Sequence, residues 1–287
     1  MPATKIESVP LAVWPAAQTS AQYQRAGRYL PESTAHPGKM LPALARRMVE
    51  TFSPPGGLVV DPMCGIGTTL IEAAEAGRRG IGVEIEGRWA DLASANARHV
   101  LGPRAHQVEV RVGDARRLLE TLADAAGQVD LIATSPPYAC DVGTINKPAW
   151  LAGRPLCDRD SLNYSESESN LGRARGQRYL EEMAAVYAGC YELLRPGGLL
   201  VTVTKNLRRA GRCFDLAGAT VDLVTSVGFS YQQHVIALLC ALRGEGLLAR
   251  PSFWQLSHTR RARAAGMPAH LVVHEDVLVF AKAAARD

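Results

Sequence analysis

The sequence predicts an α/β protein built on a Rossmann-like, doubly wound and mostly parallel sheet. Short apolar runs recur along the chain, and most are followed by a segment with apolar residues at helical spacing. Turns rich in glycine and proline separate these segments, as at 54–57 and 196–198. Several apolar runs end in an acidic residue, as with Val59-Val60-Asp61. This alternation is typical of parallel sheets whose strands are connected through helices.

Each element follows from a local pattern. Residues 40–52 are predicted as a helix because Leu44, Met48 and Phe52 share one face. The next predicted helix spans residues 69–77, and Gly77 ends it. The predicted strands are 58–60, 80–84, 108–112, 130–134, 199–204, 233–239 and 276–282. The remaining predicted helices are 89–100, 116–126, 179–194 and 215–227. Four prolines interrupt residues 1–35, which are predicted to be irregular.

The composition predicts one globular domain over residues 1–287. Hydrophobic residues make up 47% and charged residues 21% of the chain, as in ordinary soluble proteins. No apolar run approaches the ~18 residues of a membrane helix, and residues 1–10 lack the pattern of a secretory signal. The six cysteines are scattered without metal-binding spacing, so neither a metal site nor a disulfide framework is predicted. We expect a cytoplasmic protein with reduced cysteines and no membrane partner.

Two stretches interrupt the alternation of strands and helices. Residues 139–178 form a polar insert, and residues 243–271 read as an Arg-rich loop. Loops longer than ~15 residues in a compact domain are usually functional or disordered. The net charge is only +4, although arginines far outnumber lysines. Codon usage explains that excess as well as a phosphate-binding surface does.

A glycine-containing motif lies where the first predicted strand turns into a helix. Gly65 and Gly67 allow a sharp turn and a close approach of a ligand to the backbone. Glu84 ends the second strand, where a carboxylate can accept hydrogen bonds from ribose hydroxyls. Leu70 stands where the dinucleotide fingerprint has its third glycine, so the motif favours a nucleoside cofactor without a pyrophosphate. Taken alone, the glycines also fit an ordinary tight turn.

A second motif, Ser135-Pro136-Pro137-Tyr138, directly follows the strand 130–134. Proline has a fixed φ and no N–H group, so the carbonyls of this segment can face a ligand as acceptors. Such acceptors suit a planar exocyclic amine, and Tyr138 could stack on the ring that carries the amine. Taken alone, the two prolines could simply end a strand.

Four motifs together resemble the amino-group branch of S-adenosylmethionine-dependent methyltransferases. They are DPMCGIGTT at 61–69, GVE at 82–84, GDAR at 113–116 and TSPPY at 134–138. His36 and Pro37, followed by Pro42, resemble the family's HPxxxP motif, and the closing HEDVLVFAK resembles its final strand. The resemblance implies a class I methyltransferase fold with S-adenosylmethionine as cofactor. The residues implied to contact the cofactor are His36, Pro37, Asp61, Pro62, Met63, Cys64, Gly65, Gly67, Thr68, Thr69, Glu84, Asp114 and Ala115.

Within that set, the resemblance places Glu84 on the ribose and Asp114 on the adenine amine. It assigns catalysis to Ser135, Pro136, Pro137 and Tyr138, which would bind the exocyclic amine of a base flipped out of DNA. In the resembled family, serine at the first position favours N4 of cytosine over N6 of adenine. Both targets stay open.

Two further alternatives remain. LIEA at 70–73 also resembles enzymes that methylate guanine N2 in tRNA or rRNA, and a DNA-binding protein could keep the fold without the chemistry.

Basic residues near the predicted strand ends are candidate nucleic-acid contacts. They are Arg173, Arg175, Arg178, Lys205, Arg208, Arg209, Arg260 and Arg261.

Overall fold

The computed structural model describes residues 10–137, 171, 176–209, 212–251 and 253–284. Within them the strands are β1 (Val13–Pro15), β2 (Leu58–Asp61), β3 (Arg79–Glu84), β4 (Val108–Val112), β5 (Val129–Thr134), β6 (Leu194–Thr204), β7 (Leu207–Arg209), β8 (Arg212–Phe214), β9 (Ser230–Leu238), β10 (Cys240–Arg243), β11 (Gly246–Ala249) and β12 (His274–Ala281). The helices are α1 (Ala21–Arg25), α2 (Pro42–Phe52), α3 (Thr68–Glu75), α4 (Gly87–Leu101), α5 (Leu118–Thr121), α6 (Gly176–Leu193), α7 (Leu216–Ser226) and α8 (Phe253–Ala264).

The central sheet has the strand order β1-β9-β12-β6-β5-β2-β3-β4. Its strand pairs are parallel except those of β12, which runs antiparallel to both β6 and β9. The chain passes from β2 outward to β3 and β4, and returns to place β5 on the other side of β2. Ligands of such sheets bind beyond the carboxyl ends of the strands at this reversal. The predicted Rossmann-like α/β fold is confirmed.

Alternate side chains of the central strands supply the cores on the two faces of the sheet. Val60 of β2 packs in a cluster with Met183 of α6, and both are fully or almost fully buried. Val59, the preceding residue, packs on the opposite face with Leu44 of α2. Successive strand residues point to opposite faces, so a strand covered on both faces is apolar throughout. This double covering fixes the strand ends that carry the polar motifs.

The N-terminal segment is more regular than predicted. Residues 10–35 include β1, α1 and a 3-10 turn at Pro31–Ala35. β1 extends the sheet by pairing in parallel with β9, with Val13 opposite Ile236. A three-residue strand is too short to show a periodic pattern, and its hydrogen-bonding partner lies over 200 residues away in sequence. Local signals therefore could not predict it.

The predicted helix at 116–126 is broken in the structure. A 3-10 turn at Ala115–Arg117 precedes α5, and a second one follows at Ala123–Ala125. The Asp114 side chain accepts a hydrogen bond from the Arg116 N–H at 2.9 Å, which favours a tight first turn. A local side-chain bond of this kind competes with regular helix.

The expectation of a loop over 243–271 was wrong. This stretch contains β11 and α8, and β11 forms a hairpin with β10 in which Arg243 lies opposite Gly246. Gly244 supplies the positive φ of 53° that the two-residue turn requires. The apolar residues of α8 are not spaced along one face, and three of its twelve residues are arginines, so no helical pattern revealed it. Most of the insert 139–178 lies outside the described residues.

Gly82 of β3 lies where a side chain has no room. A Cβ atom there would approach Leu70 Cδ1 to 2.5 Å and Cys64 Sγ to 2.6 Å. We expect Gly82→Ala to lower the free energy of unfolding by about 1–3 kcal/mol, the cost of overpacking. Urea unfolding measures the change. Gly87→Ala is the matched control because no heavy atom lies within 4 Å of its Cβ position; equal effects of the two substitutions would contradict the steric explanation.

Candidate cofactor and amine site

A cavity of about 250 Å³ opens at the carboxyl ends of β2, β3, β4 and β5. It lies at the reversal of strand order between β2 and β5, as the fold predicts. Of the predicted site residues, those on its wall are His36, Asp61, Pro62, Met63, Cys64, Gly65, Thr68, Thr69, Glu84, Asp114, Ala115, Ser135, Pro136 and Pro137. Pro37 and Gly67 are not among the lining residues. Tyr138 lies outside the described residues.

Asp61 ends β2 and holds the turn that follows it. Its Oδ2 accepts a hydrogen bond from Thr69 Oγ1 at 2.7 Å, and its Oδ1 accepts one from the Met63 N–H at 3.1 Å. The side chain is 3% exposed. Burial raises the pKa of Asp61 to about 6, against the hydrogen bonds that favour the charged form. The Asp61 side chain therefore holds the two ends of the loop together through its hydrogen bond with Thr69, and it also lines the cavity.

Glu84 ends β3 and binds the glycine loop from the other side. Its Oε2 accepts from the Gly65 N–H at 2.9 Å, and its Oε1 accepts from the Glu86 N–H at 3.0 Å. Burial raises the pKa of Glu84, although these two backbone N–H groups favour its charged form. One carboxylate thus fixes the position of Gly65 and borders the cavity.

The two glycines of the loop have different environments. Gly65 has a φ of 51°, and a Cβ on it would lie 3.1 Å from His36 Nε2. Gly67 has a φ of 84° and precedes α3, and its Cβ would lie 3.1 Å from Ala93 Cβ of α4. Gly65 thus keeps the cavity wall open toward His36. Gly67 allows α4 to approach the start of α3, away from the cavity.

Asp114, after β4, is paired with a neighbouring arginine. Its carboxylate accepts from Arg116 Nε at 2.9 Å, and Arg116 Nη1 lies 3.4 Å from Glu182 Oε2 of α6. Burial opposes the charged form of Asp114, but the hydrogen bonds from Arg116 outweigh it and lower the pKa. The carboxylate therefore stays charged at neutral pH, and Asp114 lines the cavity.

The segment before α2 covers the glycine loop. His36 is 6% exposed, and its ring packs edge-on against Trp89 with centroids 4.8 Å apart. Burial, the largest cause, lowers the pKa of His36 to about 4, so the ring is neutral at pH 7. Asn96 of α4 connects this cover to the loop: its Nδ2 donates to Ile66 O at 3.1 Å and its Oδ1 accepts from the Leu30 N–H at 3.0 Å.

Several lining residues were missed by the sequence analysis. The clearest are Trp89 at the start of α4, Met40 before α2 and Glu275 at the start of β12. Trp89 follows Glu84 within one turn of the next helix, and this proximity was an available signal. Glu275 reaches the wall because β12 lies beside β6, with Asp276 opposite Thr204. No local pattern indicates that placement.

The described candidate nucleic-acid contacts lie on or beside several different elements. Arg260 and Arg261 are exposed on α8, and Arg178 is exposed and paired with Glu182 at 2.8 Å. Burial lowers the pKa of the half-buried Lys205, an effect that nearby Glu275 and Asp276 oppose. Arg208 and Arg209 belong to β7, which follows β6. Arg173 and Arg175 lie outside the described residues.

Asp61→Asn should remove a pH-dependent loss of stability. The pKa of Asp61 is about 6 in the folded chain, above its ordinary value of 3.8, so the folded state holds the proton more tightly. The wild type therefore loses about 3 kcal/mol as the pH rises through the interval between these two values, and the loss is complete above it. Denaturant unfolding of both proteins across that interval measures the difference. A difference that is constant with pH would contradict the assignment.

Two classes of feature are not found in the part of the chain that the structure describes. No group of three His, Cys, Asp or Glu side chains is arranged to hold a metal ion. No described helix is long and apolar enough to cross a membrane.

Comparison with known proteins supports the motif-based resemblance. Residues 4–95 match a family model described as DNA methylase. A tRNA (guanine(10)-N2)-dimethyltransferase of Methanothermobacter thermautotrophicus is 34% identical over 134 residues, covering 46% of this chain and 37% of that protein. The type II methyltransferase M.ScaI of Streptomyces caespitosus is 39% identical over 62 residues, covering 22% of this chain and 20% of that protein.

These similarities are partial in length. The chain spans about a third of the tRNA-methylating relative. Among solved structures, TrmN from Thermus thermophilus aligns with a TM-score of 0.49 and 17% identity, over 89% of this chain and 53% of that one. The residues that match the family model include the segment before α2, the glycine loop after β2 and Glu84. It confirms the resemblance of this chain to the amino-group branch of S-adenosylmethionine-dependent methyltransferases, with S-adenosylmethionine as cofactor.

Proposed function

We propose that this protein transfers a methyl group from S-adenosylmethionine to an exocyclic amine of a base in DNA, with N4 of cytosine as the first target. One observation carries the proposal: Ser135, Pro136 and Pro137 line the same cavity as Glu84 and Asp114. A methyl donor and an amine can therefore meet in one cavity. Bringing two reactants together in this way supplies much of the rate enhancement of a transfer reaction.

The residues of the cavity fit the cofactor. Glu84 and Asp114 offer carboxylate oxygens to hydroxyl and amine donors of the nucleoside, and Gly65 leaves the space beside His36 open. Among the described residues, Trp89 Nε1 is buried at this site without a hydrogen-bond partner. Buried polar groups in native proteins are usually satisfied, so unpaired ones on a cavity wall suit a polar ligand.

The segment after β5 fits an amine. Pro136 is buried and Ser135 and Pro137 are half-buried, so water has limited access to the acceptors beside them. When bound, S-adenosylmethionine supplies an electrophilic methyl group on a sulfonium. An exocyclic amine is a weak nucleophile because its lone pair is delocalised into the ring. Acceptance of its N–H bonds by Ser135 and the Pro136 carbonyl favours a tetrahedral nitrogen and frees that lone pair.

The choice of base rests on the first residue of the motif. Serine at position 135 favours cytosine N4 in the resembled family, and adenine N6 is the alternative target in DNA. Either base must leave the duplex to bring its amine to the cavity. The match of residues 4–95 to the family described as DNA methylase supports DNA as the polymer.

Guanine N2 in RNA is the second candidate. It is favoured by one observation, the 34% identity over 134 residues to the tRNA (guanine(10)-N2)-dimethyltransferase. Both candidates require the same transfer to an exocyclic amine, and they differ in the polymer and the ring that must fit beside Ser135.

The deciding experiment presents the protein with radiolabelled S-adenosylmethionine and with DNA and RNA in separate reactions. Nucleoside mass spectrometry then identifies the methylated base. We expect N4-methylcytosine in DNA. Label in RNA alone would refute the proposal in favour of the second candidate. Titration calorimetry with S-adenosylmethionine is the accompanying check, and absence of binding up to about millimolar concentrations would refute both.

A further inference from the structure

The hairpin of β10 and β11 exposes leucines next to its tip. Leu242 and Leu247 are direct cross-strand partners, one pair before the turn, and their exposures are 47% and 57%. Residues directly opposite in an antiparallel pair share a face. Leu248, on the other face, is 48% exposed. Exposed leucines therefore lie on both faces of the hairpin just before its tip, and clustered exposed apolar residues mark interaction sites.

The hairpin starts at the edge of the sheet that carries the cavity. The Leu239 N–H donates to Val273 O at 2.7 Å, which continues the pairing of β9 with β12 to that edge. Glu275, two residues further along β12, lines the cavity. β9 is three strand positions from β5, or about 14 Å at the usual strand spacing. A ligand that reaches Ser135 can also meet the hairpin.

The base of the hairpin is fixed to the body of the protein. Arg250, just after β11, donates through Nε to Ala17 O at 3.2 Å, in the segment that follows β1. Cys240 and Ala241 at the other strand's start are fully buried. The hairpin therefore projects from the surface with its base fixed in place.

The positive charge around the hairpin indicates what kind of partner would bind it. Between residues 240 and 264 the one acidic residue is Glu245. Besides Arg250, which holds the hairpin base, the exposed arginines of this region are Arg243, Arg260, Arg261 and Arg263. Arginines bind phosphate through paired N–H donors, so the surface suits a polyanion whose apolar interior the leucines could enter. Duplex DNA has both parts.

We propose that this hairpin is a wedge: Leu242 and Leu247 enter the base stack of duplex DNA and occupy the space that the target base leaves. Apolar side chains inserted between base steps partly unstack them, and extrusion of a base costs free energy that such contacts offset. The proposal rests on the proposed function. It adds that the hairpin acts on the extrusion of the base and leaves the transfer step to the cavity.

The test replaces both leucines by threonine, L242T/L247T, because threonine keeps the preference for strand. Three DNA substrates carry one site that the wild type methylates: a fully paired duplex, the same duplex with an abasic site opposite the target base, and the single strand. We expect the variant to lose about 10-fold or more in methylation rate on the paired duplex, and to stay within about two-fold of wild type on the other two. Their target base already lacks its partner.

Two variants serve as controls. L242M/L247M keeps the apolar volume and should behave as wild type on all three substrates. L11T removes a leucine that is 69% exposed beside β1 and should also leave the three rates unchanged. Melting temperature and S-adenosylmethionine affinity report whether L242T/L247T is folded; if it is not, the single variant L247T takes its place in the same comparison.

The outcomes separate the wedge from the proposed function. Equal losses on all three substrates, or no loss on the paired duplex, would overturn the wedge. A wild type that methylates none of the DNA substrates overturns the proposed function instead, and this result is obtained before any variant is compared.

Discussion

Replacing Glu84 by glutamine should raise the dissociation constant for S-adenosylmethionine by about 10- to 100-fold, the loss expected when hydrogen bonds to a charged acceptor are removed. In the structure both carboxylate oxygens already accept backbone N–H groups, from Gly65 and Glu86, at the cavity wall. Glutamine supplies one carbonyl oxygen in their place, so the glycine loop and the proposed ribose contact both lose an acceptor. Titration calorimetry measures the affinity.

Glu86→Gln is the matched control, because Glu86 lies two residues away and does not line the cavity. It should change the affinity little. Melting curves of both variants report any loss of folding. An unchanged affinity in Glu84→Gln, with Glu86→Gln behaving alike, would remove Glu84 from the cofactor site.

Tyr138→Ala should lower the rate of methyl transfer by about 10- to 100-fold, since a base stacked on an aromatic ring is stabilised by ~1–3 kcal/mol. Tyr138 directly follows Pro137, which lines the cavity. The loss should fall on the nucleic-acid substrate, and the affinity for S-adenosylmethionine should stay close to that of wild type. Single-turnover kinetics and calorimetry measure the two quantities separately.

Tyr138→Phe keeps the ring and tests whether stacking is the cause. We expect it to retain most of the wild-type rate. If the alanine variant turns over at the wild-type rate, Tyr138 does not stack on the substrate. If the phenylalanine variant is as slow as the alanine variant, the hydroxyl group is what matters and the stacking role is wrong.

The sequence allowed the fold and much of the cavity wall to be predicted because the relevant signals are local. Asp61 and Glu84 end β2 and β3, Ser135 directly follows β5, and Asp114 lies two residues after β4. The ends of neighbouring parallel strands share one edge of a sheet. A strand of four to six residues is enough to place such a residue. The strand 108–112 was predicted with the bounds that the structure has.

Contributions from distant parts of the chain were not predictable in this way. Glu275 reaches the cavity only because β12 is inserted beside β6, and Asn96 links the cover to the loop through partners 30 and 66 residues away. The hairpin at 240–249 was not predicted because its strands are short and its leucines face solvent. Contacts between distant segments, which leave no periodic trace, determine the first two.

The insertion of β12 between β6 and β9 also has a consequence for the order of folding. Among the described residues, β12 (274–281) is the strand furthest along the sequence, yet it occupies an interior position of the sheet. Because β12 lies between β9 and β6, strands β9 and β1 cannot join the rest of the sheet during synthesis until residues 274–281 emerge. Late contacts between distant segments slow folding and leave unpaired strand edges exposed. A chain cut short before residue 274 should therefore assemble the β4-to-β6 half of the sheet with an open edge at β6.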